Sequence, residues 1–278
     1  MSKEFKSLLI LSTGRTGTKF LAKTLQVILP HADVFHEGGE RSRLINILSH
    51  AHLAGFFPRQ GPALAWRMAI QPALTRAQQN TTIYIDANNH LYVFGTRNPG
   101  LYPNLKIIHI VRDPRDYIRS HINWSKSRLK SFIANYLVPF WQPSGFLLGE
   151  YSWADWSGLN RLERYAWIWS YKNRLIQQME MSQVPYLRIK FEDLFGGKDP
   201  GSTLADMLDF IGFNAPGDLN DYFARTINAS KQHIPTWPEW TGSTCQRINA
   251  ICGELMRSYG YGSEPEWQRK CSQSDRRL

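Results

Sequence analysis

The segment that decides the fold lies near the start of the chain and reads Ser7-Leu-Leu-Ile-Leu-Ser-Thr-Gly-Arg-Thr-Gly-Thr-Lys-Phe-Leu21. An apolar run typical of a buried strand leads through a short polar turn with two glycines into an amphipathic helical pattern. The glycines let successive backbone N–H groups point into one concavity, and the start of the helix adds unpaired donors and the positive end of its dipole. The segment therefore predicts a phosphate-binding loop after the first strand, formed by Gly14, Arg15, Thr16, Gly17, Thr18 and Lys19.

This loop departs from the pattern of ATP- and GTP-binding loops, G-x-x-x-x-G-K-[ST], in which the hydroxyl after the lysine binds magnesium. Counting back five residues from Gly17 gives Ser12 instead of a glycine, and Lys19 comes one residue late. Phe20 stands where the magnesium ligand is expected. The pattern argues against metal-nucleotide chemistry, and we expect no metal site.

A second segment also has the pattern of a strand followed by a helix. It reads Lys106-Ile-Ile-His-Ile-Val-Arg-Asp-Pro-Arg-Asp-Tyr-Ile-Arg-Ser120. Its apolar run predicts a buried parallel strand, and Asp113 before a proline predicts the start of a helix. Arg112 would then lie at the carboxyl end of a strand, where α/β folds place their ligand sites. Ser120 falls about two turns into the helix, on a face that can share an anion with Arg112. An ion pair between Arg112 and a neighbouring aspartate is the alternative.

Together the two segments resemble those of the sulfotransferase family that uses 3′-phosphoadenosine 5′-phosphosulfate (PAPS). Ser12–Lys19 resembles that family's 5′-phosphosulfate loop, and Arg112, followed by seven residues and Ser120, resembles its 3′-phosphate motif. Val184–Leu194 is similar to a late strand of the family, and Ile251–Tyr261 is similar to its closing helix. The resemblance implies transfer of a sulfuryl group from PAPS to a hydroxyl, or less readily an amine, of a small-molecule or glycan acceptor, without a metal.

The resemblance also implies which residues bind the donor. Lys19 would stabilise the charge on the leaving 5′-phosphate, and the loop N–H groups and the hydroxyls of Thr16 and Thr18 would share that role. Many members of the family complete the 3′-phosphate site with a basic segment near the end of the chain. Lys231 is the candidate for that position, with a solvated loop lysine as the alternative.

The base that takes the acceptor proton has several candidates. Several branches of the family carry a catalytic glutamate after the second strand, and this favours Glu37. Another branch uses a histidine before the 3′-phosphate strand, and His90 falls at about that place, although the Lys-Thr-His sequence of that branch is absent. His36 and Glu40 are the other candidates.

Two functions of other classes stay open at this stage. One is a small-molecule kinase with the same loop architecture, which magnesium-dependent ATP binding would favour. The other is a non-catalytic module that binds a nucleotide or a sulfated glycan. Loss of transfer on Glu37→Gln, with donor binding intact, would argue against the module.

The composition of the chain limits the classes of fold and of binding partner that it can have. The chain has 278 residues, of which 42% are hydrophobic, enough for one α/β domain over residues 1–266, with a mostly parallel central sheet flanked by helices. We expect residues 267–278 to form a polar, disordered tail. No apolar run is long enough to span a membrane and no signal peptide is recognisable, so we expect a cytoplasmic protein. The formal net charge of +10 indicates an anionic partner, and dispersed basic residues argue against nucleic acid.

The pattern along the chain predicts alternating elements. Strands are predicted near 7–12, 32–36, 82–86, 106–111 and 185–190. Helices are predicted near 17–28, 41–50, 71–79, 114–126, 161–181, 202–212 and 243–258. Residues 62–67 also fit a short strand. The aromatic-rich stretch 127–160 interrupts the pattern, and we interpret it as an acceptor-binding insertion or lid, with a hydrophobic cluster that closes the fold as the alternative.

Overall fold

The structure is a computed structural model that describes residues 5–38, 41–81, 83–127, 133, 138–215, 217–223 and 234–272. Two of the candidate site residues, Glu40 and Lys231, lie outside these ranges. The chain groups into two compact units. The first unit comprises Met1–Val111 and Leu175–Asn228, and the second unit comprises Arg112–Arg174 and Ala229–Leu278.

A five-stranded parallel sheet forms the centre of the first unit. Its strands are β1 (Lys6–Ser12), β2 (Asp33–His36), β3 (Ile83–Ala87), β4 (Leu105–Val111) and β5 (Tyr186–Lys190). They lie in the order β2-β3-β1-β4-β5, and every pairing is parallel. Residues 8–11 of β1 are completely buried, as expected for a central parallel strand with helices on both faces. The predicted α/β class and all five predicted strands are confirmed.

The predicted helices are confirmed to within about one turn. The α-helices of the described chain are α1 (Thr18–Ile28), α2 (Arg41–Leu53), α3 (Gln60–Ala69), α4 (Gln71–Asn80), α5 (Tyr92–Arg97), α6 (Pro114–Ser127), α7 (Trp153–Gly158), α8 (Arg161–Gln177), α9 (Phe191–Phe195), α10 (Pro200–Ile211), α11 (Gly242–Ser258) and α12 (Pro265–Ser272). Within the described ranges, no helix is both long and apolar enough to cross a membrane.

The prediction of a short strand over residues 62–67 is wrong, because α3 covers them. Pro62 lies in the first turn of that helix, where its missing N–H costs no intrahelical hydrogen bond. The buried residues of α3 are Pro62, Ala65 and Trp66, which have helical rather than alternating spacing. The Trp66 indole donates a hydrogen bond to the Tyr102 hydroxyl at 2.9 Å, and this contact fixes the buried face.

The prediction of a disordered tail is also wrong for residues 267–272, which belong to α12. Trp267 is 1% exposed and packs edge-on against Trp237, with ring centroids 5.6 Å apart. The guanidinium of Arg115 lies 4.9 Å from the Trp267 ring. One buried aromatic side chain therefore anchors a segment that is otherwise polar. Residues 273–278 of the predicted tail lie outside the described residues.

Part of the aromatic-rich stretch packs against α8 in the second unit. Tyr151 and Trp156 lie 6.4 Å and 5.1 Å from the Trp167 ring, measured between centroids. This packing agrees with the alternative of a cluster that closes the fold. The exposed large aromatic side chains of the stretch, within its described part, are Phe146 and Trp153. A role for the stretch in acceptor binding stays a prediction.

Candidate active site

The loop between β1 and α1 contains three residues in left-handed conformation. The φ angles of Gly14, Arg15 and Gly17 are 90°, 60° and 72°. The Ser12 hydroxyl at the end of β1 accepts hydrogen bonds from the Gly14 N–H at 3.2 Å and from the Thr16 hydroxyl at 2.7 Å. These bonds hold the loop in a tight turn, and turns of this kind direct neighbouring N–H groups towards an anion.

Several donors around the loop are left for a ligand. The buried Thr13 hydroxyl has no hydrogen-bond partner in the described part of the chain. Gly17 is the N-cap of α1 and supplies no side-chain cap, so the first N–H groups of the helix are not satisfied by a capping side chain. Lys19 is exposed in the first turn. Backbone N–H groups, hydroxyls and an ammonium together suit a phosphate or sulfate group.

Gly17 is also held by close packing against α9. A β-carbon at this position would lie 2.4 Å from two carbons of the Phe195 ring, which itself packs on Phe20 and Phe191 at centroid distances of 5.3 Å and 4.7 Å. Only a residue without a side chain fits here without displacing that ring.

We therefore expect Gly17→Ala to be destabilising. The left-handed φ costs about 1–2 kcal/mol for alanine, and the overlap with Phe195 adds about 1–3 kcal/mol. Gly55→Ala is the matched control, because Gly55 has φ of 79° but no atom within 4 Å of its added β-carbon. Urea denaturation should show a larger loss of unfolding free energy for Gly17→Ala. Equal losses would contradict the packing of the loop against Phe195.

Glu37 immediately follows β2 and also has a left-handed conformation, with φ of 56°. Its backbone N–H donates to the Ala87 carbonyl at the end of β3, at 3.1 Å. Its carboxylate accepts a hydrogen bond from the Asn89 amide at 3.0 Å and lies 3.8 Å from His90 Nε2. The side chain is 21% exposed. The carboxylate is therefore oriented by its neighbours and still accessible to a substrate.

His36 connects this carboxylate to the loop between β1 and α1. Its Nε2 lies 3.3 Å from the Thr18 hydroxyl. Burial lowers the pKa of His36, the charge of Glu37 raises it, and the ammonium of Lys19 lowers it further. Glu37 and Lys19 are both close enough to His36 to influence its proton. The loop and the Glu37 carboxylate thus belong to one site at the carboxyl ends of β1, β2 and β3.

A completely buried carboxyl group, Asp86, lies beneath this site. It accepts hydrogen bonds from the Tyr84 hydroxyl at 3.3 Å and the Asn88 amide at 3.2 Å. Asn88 in turn accepts the His90 N–H at 2.9 Å, so Asp86 supports the turn that carries His90. Burial raises the pKa of Asp86 to about 7, against the hydrogen bonds from Asn88 and Tyr84, which favour the charged form.

The raised pKa of Asp86 makes the free energy of unfolding depend on pH. In the unfolded chain Asp86 loses its proton near pH 4, whereas in the folded protein it keeps the proton up to about pH 7. The stabilising contribution is therefore complete below about pH 4 and is lost as the pH rises from there through about 7. The melting temperature of Asp86→Asn, relative to that of the wild type, should rise as the pH increases from 5 to 8. The exposed Asp206→Asn should show no such trend, and a difference between Asp86→Asn and wild type that is constant with pH would contradict the assignment.

The second unit contains the other motif. Arg112 directly follows β4, and its carbonyl accepts a hydrogen bond from the Trp169 indole at 2.9 Å. Ser120 is partly exposed on α6. The neighbouring Asp113 carboxylate is held by Arg115, with an Nε to Oδ1 distance of 2.9 Å. Asp113 thus serves as a structural partner of Arg115, and Arg112 occupies the position that its motif predicts.

The structure brings together the predicted residues of the first unit, from Lys19 and the loop to Glu37, His36 and His90. It places Arg112 and Ser120 in the second unit. The sequence prediction did not assign roles to Asn89 and Asp86, although the polar residues at the end of β3 and in the turn that follows it were a signal for them. The described residues contain no group of three or more His, Cys, Asp or Glu side chains arranged to bind a metal ion.

Comparisons with known proteins agree with this fold. A family model described as a sulfotransferase domain matches residues 5–236. No curated protein matches the chain. Among solved structures, a sulfotransferase from Alicyclobacillus acidocaldarius is 15% identical with a TM-score of 0.50, covering 94% of this chain and 98% of its own. At this identity the likeness shows the fold alone.

Two further solved structures are similar to the chain. The sulfotransferase domain from the Synechococcus PCC 7002 olefin synthase is 18% identical with a TM-score of 0.49, covering 93% of this chain and 96% of its own. The sulfotransferase domain from the curacin biosynthetic pathway is 17% identical with a TM-score of 0.48, covering 98% of each chain.

Proposed function

The chain belongs to the sulfotransferase domain family, and we propose that it transfers the sulfuryl group of PAPS to a hydroxyl group of a small-molecule or glycan acceptor. The observation that carries this proposal is the contact between the phosphate-binding loop and the β2 terminus. Thr18 of the loop lies 3.3 Å from His36, and the next residue along the chain is Glu37. An anion-binding loop and a partly exposed carboxylate side by side are the two groups that sulfuryl transfer to a hydroxyl needs.

The proposed reaction is an in-line displacement. A bond forms between the acceptor oxygen and sulfur, while the bond from sulfur to the bridging oxygen of the 5′-phosphate breaks and its electron pair leaves with adenosine 3′,5′-bisphosphate. Glu37 takes the proton of the acceptor hydroxyl, which contributes roughly a hundred- to ten-thousand-fold in rate. Lys19 and the loop N–H groups stabilise the charge on the departing phosphate oxygen.

We propose that donor binding uses both motifs. The 5′-phosphosulfate would be held by the loop from Gly14 to Lys19, and the 3′-phosphate by the guanidinium of Arg112 and the hydroxyl of Ser120. A charge-assisted pair with a guanidinium suits a phosphate dianion in both geometry and strength. Lys231 as a third group at the 3′-phosphate stays a prediction of the sequence, as does a cytoplasmic location.

A titration of the purified chain tests the proposal. Adenosine 3′,5′-bisphosphate without metal should bind tightly by calorimetry, whereas ATP with magnesium should bind much more weakly. A screen of phenols, sugars and amines with radiolabelled PAPS should then yield a sulfated product. Preference for ATP with magnesium would favour a kinase and contradict the proposal. Tight bisphosphate binding without transfer to any acceptor would favour a binding module.

A further inference from the structure

A cleft of about 530 Å³ lies in the first unit between α2, α3 and α5. Its polar walls include the side chains of Arg59, Arg97 and His52, and its apolar walls include Val93 and Phe94. A cleft of this size can hold a small organic molecule. None of the motifs assigned above accounts for it.

The charge of the cleft is positive. Arg59 and Arg97 are both exposed, and no carboxylate of the described residues forms an ion pair with either of them. No acidic residue is among those that line the cleft. Two guanidinium groups that face a cleft without a counter-charge favour an anionic ligand, because each can donate two parallel hydrogen bonds to a carboxylate or sulfate.

The start of α3 adds to this positive potential. Gln60 and Pro62 of its first turn line the cleft. Arg59 is the N-cap residue and makes no side-chain capping bond. The positive end of the helix dipole therefore lies at the same cleft as the two arginines.

The cleft is connected to the site around Glu37 by both α2 and α5. The Ser42 hydroxyl, at the start of α2, donates to the Glu37 carbonyl at 2.5 Å. Ser49 lines the cleft seven residues further on, which is about 10 Å along the helix. His50 of α2 lies 2.5 Å from the Tyr92 hydroxyl of α5, so the two helices are joined beside the cleft.

We propose that this cleft binds the anionic group of the acceptor, a carboxylate or sulfate ester at the end remote from the hydroxyl that receives the sulfuryl group. This inference rests on the proposed function and adds the chemical class of its acceptor. The apolar part of such a molecule packs against Val93 and Phe94, while Arg59 and Arg97 bind its charge. A neutral molecule of the same shape loses the second of these interactions.

The test uses three probes that carry a phenyl group on a six-carbon chain: 6-phenylhexanoate, the neutral 6-phenylhexanamide of equal length, and the slightly longer 6-phenylhexyl sulfate. Each is titrated into the full chain by calorimetry, with and without saturating adenosine 3′,5′-bisphosphate. We expect at least one anion to bind tenfold or more tightly than the amide. The double variant Arg59→Gln with Arg97→Gln should remove that preference, while the exposed Arg76→Gln on α4 should keep it.

Equal affinity of all three probes for the wild type, or an unchanged preference in the double variant, overturns the inference. Bisphosphate binding measured on the same samples separates this failure from failure of the proposed function. If the bisphosphate binds but no anionic probe is preferred, only the inference about the cleft is rejected. Anion preference that depends on both arginines, without bisphosphate binding, supports the anion site and rejects the sulfotransferase reaction.

Discussion

Glu37→Gln is expected to lower kcat by roughly a hundred- to ten-thousand-fold, the usual contribution of a positioned general base. Glutamine keeps the shape of the side chain and an oxygen that can accept the hydrogen bond from Asn89, which is 3.0 Å long in the wild-type protein. It cannot take a proton from the acceptor. The loss should therefore fall on kcat, while affinity for adenosine 3′,5′-bisphosphate changes by less than about threefold. Transfer from radiolabelled PAPS and calorimetry measure the two quantities.

Two further variants sharpen this prediction. Asp33→Asn removes a negative charge from the other end of β2 and should leave kcat unchanged. His90 is the competing base, and its Nε2 lies 3.8 Å from the Glu37 carboxylate. If His90→Gln abolishes transfer while Glu37→Gln retains it, the base is His90 and Glu37 only orients it. Loss in Glu37→Gln with activity retained in His90→Gln supports our assignment.

The three central strands β1, β3 and β4 were predictable because they are buried on both faces. Such strands appear in sequence as short continuous apolar runs, so β1 and β4 could be recognised together with the polar turns at their carboxyl ends. The same pattern predicted that Glu37 lies beside the loop after β1, since parallel strands end at one edge of the sheet. His90 was a candidate only through the resemblance to another branch of the family.

Contacts between residues far apart in the chain could not be predicted in this way. Phe195 lies against Gly17, and only the folded structure shows that this glycine is required for packing as well as for its φ angle. Asn89 bonds to Glu37 across 52 positions. The buried ring of Trp267 anchors α12, a helix of otherwise polar composition. Local patterns indicate which elements form, whereas these tertiary contacts determine how their side chains are held.

Lys19→Ala is expected to lower kcat by roughly a hundred- to a thousand-fold, as removal of one charge-stabilising donor does at an oxyanion site. The physical reason is that charge on the 5′-phosphate grows as the sulfur–oxygen bond breaks, so the ammonium interacts more strongly with the transition state than with the bound donor. Affinity for adenosine 3′,5′-bisphosphate should fall much less than kcat. Lys23→Ala, one turn further along α1 and also exposed, is the matched control and should retain full activity.

Arg112→Ala is expected to show the opposite pattern, a larger loss of bisphosphate affinity than of kcat. A hydrogen bond to a charged group contributes about 1.5–3 kcal/mol, so loss of the guanidinium should weaken bisphosphate binding roughly ten- to a hundred-fold, with a smaller effect on kcat. The 3′-phosphate does not change its charge during transfer, and its partner therefore acts on binding rather than on the chemical step. Unchanged bisphosphate affinity in Arg112→Ala would contradict the 3′-phosphate assignment, and a Lys19→Ala loss confined to affinity would contradict its role in the departure of the phosphate.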